Sequence, residues 1–514
     1  MTVTARSESS ETSPTTGSQR SILFVFLSLM LTMLLASLNQ TVLSTALPTM
    51  VGELNGVDQM LWVMTAYILA STIMMPIYGK LGDLVGRKGL SLLAIALFTG
   101  GSIIGALAPD MGWLIASRVV QGLGGGGLII MSQAIIADII PARQRGRYMG
   151  ALGAVFAVSS VAGPLLGGWF TEGIGWRWAF WINLPLGLLA LVATAFLLRL
   201  PKQRPERLHV DAWGMAFMAA ASTCLILAST WGGNRYDWDS PVILGLIAGT
   251  VVASVLFVLA ERRAVEPVIP LHLFRDRNFN LTTVAGLFTG VMMFGTLGYI
   301  PTYLQMATGT DATASGLLMT PMMGTLLLVS MAAGQFVSRT GRYKWIPVAG
   351  SLVIAGGMVL LSTVTPETPV WVICVHLSVI GVGLGASMQL LVLIVQNSFP
   401  VSQVGTATAA NNFFRQIGAS LGSAVVGSLF TSRLMDFLVQ RMPAGAELPS
   451  GGGRSSLTPE LVQSLPDALR HPIIDSYNEA LMPIFLWLMP LGILAAVLLM
   501  FVTEKPLATT IDRG

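Results

Sequence analysis

Charged residues are scarce in this chain, and the scarcity decides its class. Asp, Glu, Lys and Arg make up 11% of 514 residues, against about 25% in a soluble domain. With 53% hydrophobic residues and a mean hydropathy of +0.72, an ordinary water-soluble enzyme is excluded. Cysteine is nearly absent: Cys224 and Cys374 both lie inside apolar runs, so neither a disulfide framework nor a metal site is implied. Four histidines are scattered, with no pair at ligand spacing. A Walker loop, a nucleophile elbow and zinc-type spacing are all missing, which argues against ATP-driven transport and against catalysis. The alternation of apolar and polar residues that marks a porin-type barrel is missing as well. The net charge of +4 and the pI near 9.2 then read as Lys and Arg gathered on one side of a membrane, not as affinity for nucleic acid.

In place of these the chain has fourteen continuous apolar runs, at 22–47, 60–78, 89–108, 113–137, 148–170, 177–198, 212–231, 241–259, 281–304, 314–335, 345–363, 370–396, 406–431 and 481–502. Each is roughly 20 residues or longer, enough to cross a ~30 Å hydrocarbon layer as a helix. The run 406–431 is the least apolar, being rich in Ala, Gly, Ser and Asn. With the N-terminus inside, cytoplasmic segments carry 21 of the 29 Lys and Arg and external segments carry 6, while Arg118 and Arg415 fall within helices. That bias favours a multi-pass protein of a bacterial-type inner membrane with both termini cytoplasmic. Residues 1–20, rich in Ser and Thr, read as a disordered cytoplasmic tail. The run after Arg20 is too long for a cleaved signal peptide and reads as a retained helix.

One short polar stretch organises the rest: GKLGDLVGRK, Gly79 to Lys88, between the second and third runs. Gly79 and Gly86 permit a tight turn there, and Lys80, Arg87 and Lys88 mark the cytoplasmic side. Asp83 is expected just before the N-terminus of the third helix, where a carboxylate accepts backbone N–H groups and meets a favourable dipole; it also comes within reach of Arg87. A second copy, GQFVSRTGRY, begins at Gly334, 255 residues later, with Gly341 and Arg342 in register and Ser338 in place of Asp83. The first copy follows run 2 and the second follows run 10, so the repeat shifts by eight helices instead of six. Two six-helix halves, 21–200 and 266–504, with an inserted helix pair in 201–265, account for this. An external loop at 433–479, with a flexible GGGR stretch at 451–454 and a short helix expected from Thr458-Pro459-Glu460, interrupts the second half. Residues 505–514 read as a cytoplasmic tail.

Few polar residues interrupt the runs, and those few are the candidate sites. Arg118 lies about 9 Å inside the outer end of its helix and needs a partner, a wet cavity or a path for snorkelling. Arg415 lies about halfway along the least apolar helix. Asn39 sits at a depth similar to Arg118, so Asn39, Gln40, Arg118 and Gln121 are expected to form a polar site tolerant of neutral or anionic substrates. Gly163-Pro164 with Gly167-Gly168 strips one face of the fifth helix and bends its axis, which close helix packing alone would justify. No Asp or Glu sits mid-helix in any run, leaving Asp83, Asp138, Glu172 and His376 as candidate proton carriers. Phe156, Met293, Phe294 and Met388, with Met64, Met74, Met131 and Met292, are candidates for lining an adaptable apolar cavity.

These motifs together resemble the major facilitator superfamily, in its drug:proton antiporter branch with fourteen spanning helices. GKLGDLVGRK is similar to the loop signature between helices 2 and 3, LIASRVVQGLGGG (114–126) to the helix 4 signature, and GPLLGG (163–168) to the helix 5 antiporter motif. WRWAFWINLPLG (176–187), YIPTYLQ (299–305) and GTATAANNFFRQIG (405–418) resemble further segments of the branch. The resemblance implies an all-α polytopic fold of two pseudo-symmetric six-helix bundles plus two inserted helices, rocking about a midplane site. It implies a latch at Asp83 with Gly79, Gly86, Arg87 and Lys88, and a leak-sealing role for the bend at Gly163–Gly168. The function implied is export of hydrophobic or amphipathic small molecules, drugs included, by a monomer that uses the proton gradient and no cofactor. Asn39 stands where many relatives carry an Asp, which weakens the case for lipophilic cations. A transporter with one physiological lipid or metabolite as substrate, and a non-transporting membrane sensor or scaffold, are the alternatives.

Overall fold

The computed structural model describes residues 16–56, 59–198, 200, 209–233, 235–310, 312–441, 462–463 and 465–509. Among them the only bridge of strand type is an isolated one between Gly232 and Tyr236. Among the described residues fourteen long helices follow one another, and all but Val404–Arg441 are both long and apolar enough to cross a membrane. They are α1 (Thr16–Glu53), α2 (Met60–Val85), α3 (Arg87–Ala106), α4 (Met111–Ile139), α5 (Ala142–Trp169), α6 (Trp178–Leu197), α7 (Ala212–Trp231) and α8 (Pro241–Arg263). The second series is α9 (Arg277–Thr308), α10 (Ala314–Thr340), α11 (Trp345–Ser362), α12 (Val370–Gln396), α13 (Val404–Arg441) and α14 (Asp467–Met500). An even number of crossings brings the start of α1 and the end of α14 to one face, the terminal face.

Local chemistry sets the ends. Asp110, Asp211, Ser240 and Asp276 are N-caps whose side chains accept from Trp113 N, Gly214 N, Ile243 N and Phe279 N, so α4, α7, α8 and α9 each start at a polar residue. Three helices break near the opposite face for one reason. Pro185, Pro301 and Pro321 offer no N–H to the carbonyls of Trp181, Leu297 and Leu317, and α6, α9 and α10 are interrupted at those carbonyls.

Packing reproduces the sequence repeat. In the first half α1 packs on α5 and α6, and α4 on α2 and α3; in the second half α9 packs on α13 and α14, and α12 on α10 and α11. Shifting each helix number by eight converts one set into the other. The halves meet along two seams that are copies of each other, α2 against α13 and α5 against α10. Glycines permit both: a Cβ at Gly79 would meet Gly405 and Ala409, and a Cβ at Gly334 would meet the backbone of Gly146. The inserted α7 lies against both α2 and α13, with α8 outside it on α7. Lipid-facing apolar side chains crowd α8, where Val251, Val252 and Val255 are exposed.

Several expectations change. The hinge at 79–88 is not a loop: α2 runs through Val85, α3 starts at Arg87, and Gly86 alone turns the chain with φ 94°. Gly79 therefore serves close helix approach, not a turn. Helix α1 begins at Thr16, inside the stretch read as a tail. The run at 406–431 is a 38-residue helix that reaches Arg441, so the loop after it is shorter than 433–479. The chain past α14 is held as well: Tyr343 and Lys344 N–H groups bond Glu504, and the Arg143 N–H bonds the Ala508 carbonyl. The 1–15 part of the tail, most of the basic 199–207 stretch, the GGGR stretch, the Thr458 helix start and residues 510–514 lie outside the described residues.

Gly334→Ala should lower thermal stability in detergent by about 1–3 kcal/mol, because the methyl meets backbone and neither helix can retreat cheaply. Gly356→Ala, whose Cβ meets nothing within 4 Å, should not. Equal melting temperatures for the two variants would show that the α5–α10 approach is not tight.

Candidate functional site

Helices α1, α3, α4 and α6 bring their few polar side chains together in the first half. Arg118 is fully buried, donating to the Val63 carbonyl (3.1 Å) and to Gln121 Oε1 (2.6 Å), with its guanidinium 4.3 Å from the centre of the Tyr67 ring. Gln121 donates onward to Ser102 Oγ (2.7 Å) and Asn39 Oδ1 (3.3 Å), and Asn183 also donates to Asn39 Oδ1 (2.9 Å). Arg118 is thus held by neutral acceptors and an aromatic face, and snorkelling does not occur. Of the expected set, Asn39, Arg118 and Gln121 meet; Gln40 does not. Ser102, Tyr67 and Asn183 also belong to the network; Asn183 lies in the WRWAFWINLPLG segment, whereas Ser102 and Tyr67 carry no sequence signal beyond being polar in an apolar run.

The cavity lies elsewhere, between the halves. It holds about 130 Å³ of free space and is lined from both sides. Its polar residues include Gln40, Gln133, Ser330, Gln389, Asn412 and Arg415, and its apolar ones include Met33, Phe156, Met293, Phe294 and Met388. Met64, Met74, Met131 and Met292, expected alongside these, pack into the half interiors instead. No Asp or Glu lines it. Arg415 projects into this space 11 residues after the start of α13, about 16 Å of helix rise. Its Nη2 donates to Asn412 Oδ1 at 2.5 Å. Asn412 donates across the halves to Gln133 Oε1 (2.9 Å), and Gln396 donates to the Gln133 carbonyl (3.3 Å). These amides form a floor that ties α4 to α12 and α13 on the terminal side of the cavity.

Below the floor the α2–α13 seam is closed by charge. Asp83, on a side chain 5% exposed, accepts from Gly405 N (3.2 Å), Thr406 N (2.7 Å) and Thr406 Oγ1 (2.8 Å). The expected cap on α3 is therefore a cap on α13, in the other half. Arg87 donates to Asp83 (2.7 Å), to Asp138 (2.5 Å) and to the Val401 carbonyl (3.2 Å), so one guanidinium joins α2, α4 and the approach to α13. Lys88 donates to the Ala195 carbonyl at the end of α6 (2.7 Å), and Lys80 pairs with Glu266 in the segment after the inserted helices (2.5 Å).

The α5–α10 seam closes with the opposite polarity. Ser338 offers no carboxylate; instead Arg143 at the start of α5 donates to the Ser338 (3.2 Å) and Arg339 (2.9 Å) carbonyls at the end of α10. Gly163 and Gly167 let α1 come close, since a Cβ at either would meet Thr41, Val42 or Thr45, and Thr41 Oγ1 donates to the Ser159 carbonyl at 2.9 Å. Gly168 is buried beside them, and Pro164 packs near Gly316 of α10. Among the remaining candidates, Glu172 is exposed at the end of α5. His376 lies in the outer part of α12, away from the cavity lining, with Nδ1 unpartnered.

Two six-helix halves of one ancestry around a central cavity, with an inserted pair on one seam, define a membrane transporter and not an enzyme. The chain belongs to the major facilitator superfamily, whose family model matches residues 29–423. It is 39% identical over 490 residues to an uncharacterised MFS-type transporter of Mycobacterium tuberculosis, covering 95% of this chain and 70% of that one. It is 34% identical to Multidrug resistance protein 3 of Bacillus subtilis, covering 97% of this chain and 98% of that protein. Multidrug transporter protein MdtP of Bacillus subtilis is also 34% identical, covering 91% of this chain and 89% of MdtP. Among solved structures, the proton:xylose symporter XylE has the same fold at 15% identity, with a TM-score of 0.64 over 95% of this chain and 98% of that one.

Asn39→Leu should cost about 1–3 kcal/mol of stability, because Gln121 and Asn183 then lose the oxygen they share. Asn39→Asp retains that oxygen and should melt close to the wild type. Denaturation of both variants in detergent checks this, and an unaffected Asn39→Leu would contradict it.

Proposed function

We propose that the chain exports hydrophobic or amphipathic small molecules across a bacterial-type inner membrane by alternating access, exchanging them for protons. The observation that carries this reading is the pair of closed seams beneath a cavity shared by both halves. Transport requires such seams to open and close, and the α2–α13 seam is closed by the Asp83 carboxylate. Relatives named as multidrug transporters, alike over nearly their whole length, support small-molecule export.

The terminal face is taken as cytoplasmic. It carries Lys80, Arg87, Lys88, Arg143, Arg145, Arg147, Arg262 and Arg263, in keeping with the rule that basic residues stay inside. Asp83 then serves as the latch, with Gly79 for close approach, Gly86 for the turn, and Arg87 and Lys88 as anchors. Loss of that carboxylate's charge, as in Asp83→Asn, removes the negative charge at the α13 N-terminus and half of the Arg87 bridge, and so frees the seam to open. Asp138 is the second carboxylate of that bridge. Glu172 and His376 have no comparable link to either seam. The bend at Gly163–Gly168 supports the α1–α5 contact that walls the cavity. A monomer suffices, since one chain supplies both halves and needs no cofactor beyond the gradient.

Asp83→Asn should reduce drug efflux from proteoliposomes under an imposed pH gradient at least tenfold, while the variant still melts cooperatively. Collapsing the gradient should have the same effect on the wild type. Gradient-independent efflux would remove proton coupling, and full activity of Asp83→Asn would remove the latch.

A further inference from the structure

The cavity carries a charge that no acidic residue among the described residues balances. Arg415 stands about 16 Å of helix rise inside α13, and an isolated guanidinium within an apolar layer is costly. Its hydrogen-bond partner, Asn412, is neutral, and no Asp or Glu lines the space around it. The ion pairs among the described residues lie elsewhere, including Arg87 with Asp83 and Asp138, and Lys80 with Glu266. Arg118 shows the contrast: it is fully buried, stacked on Tyr67 and outside the cavity lining. Arg415 is half-buried and faces the space between the halves.

The surroundings complete a recognition site. Ser330, 3% exposed, lines the same cavity with its hydroxyl unpartnered, and Gln389 Oε1 is also unpartnered there. Met33, Phe156, Met293, Phe294 and Met388 supply an adaptable apolar wall. We propose that this cavity binds amphipathic anions: an apolar body against the Met and Phe side chains, and a single carboxylate, sulfonate or phosphate on the Arg415 guanidinium. A guanidinium presents a planar fork of donors that matches such oxyanions in two parallel hydrogen bonds. Lipophilic cations meet a charge of their own sign, with no carboxylate to offset it in a site of low dielectric. The proposal names the substrate class for the exporter reading, and it rests on that reading for transport but not for binding.

The test uses the full-length protein in neutral detergent and three ligands on one naphthalene frame: naphthalenesulfonate, naphthalenemethanol and naphthalenemethylammonium. Calorimetry should show the sulfonate binding at least tenfold tighter than the alcohol, and the ammonium at least tenfold weaker than the alcohol. Arg415→Lys should keep the order with a smaller spread, and Arg415→Gln should bring the sulfonate and alcohol within threefold. Competition by dihexanoyl phosphatidylglycerol assigns the site to a lipid headgroup, and absence of competition assigns it to free amphiphiles; both retain the anion. The proposal is overturned if the ammonium binds as tightly as the sulfonate in the wild type, a comparison that needs no variant, or if the sulfonate preference survives in folded Arg415→Gln. In proteoliposomes, anion-selective binding without movement of any ligand would sink the exporter reading and leave the site standing. Movement without anion preference would do the reverse.

Discussion

A carboxylate set against the first turn of a helix from the other half is the contact on which this structure turns. The first N–H groups of α13 have no partner within their own helix. Asp83 reaches across from α2 to satisfy two of them and the Thr406 hydroxyl. A negative charge at a helix N-terminus contributes up to about 2 kcal/mol when partly buried. Arg87 neutralises that charge without withdrawing it, and Asp138 holds Arg87 from α4. The geometry needs Gly79, because a side chain there would force α2 off α13. The amide floor at Gln133 and the cavity lie beyond this knot, away from the terminal face.

Duplication supplied a second seam, and the two copies solve the same problem with opposite charges. Where Asp83 meets the positive end of α13, Arg143 meets the negative end of α10. Only the first is closed by a carboxylate, so the pseudo-symmetric fold carries two chemically different seams. The inserted helices add to that asymmetry, since α7 lies on the α2–α13 seam and Glu266, just beyond α8, pairs with Lys80. The other seam is overlaid by the chain that follows α14, through Glu504 and Ala508.

The helices and their duplication were legible because hydropathy and a ten-residue motif repeat along the chain itself. Long-range partners were not. Sequence proximity puts Asp83 on the nearest helix start, whereas the Gly405 N–H that donates to it lies 322 residues away. Asn39 and Gln40 are neighbours in sequence, yet successive residues of a helix point about 100° apart. Asn39 therefore enters the polar network inside the first half, and Gln40 enters the cavity. Arg118 and Arg415 looked alike as arginines in apolar runs. Their difference depends on what α1, α2, α3 and α6 bring to one and on the open space beside the other. The least apolar helix, α13, is longer than hydropathy indicates, because most of its Gly and Ala residues and both its Asn residues are buried against other helices.

The central claim is that Asp83 holds the two halves closed at the terminal face. Spin labels at Gly89→Cys and Ser402→Cys, both exposed, report the separation across that seam once Cys224 and Cys374 are replaced by Ser. Pulsed dipolar spectroscopy at neutral pH should give one short distance in the otherwise wild-type protein, and a substantial longer population when Asp83→Asn is added. Identical distance distributions with and without Asp83→Asn would contradict the account.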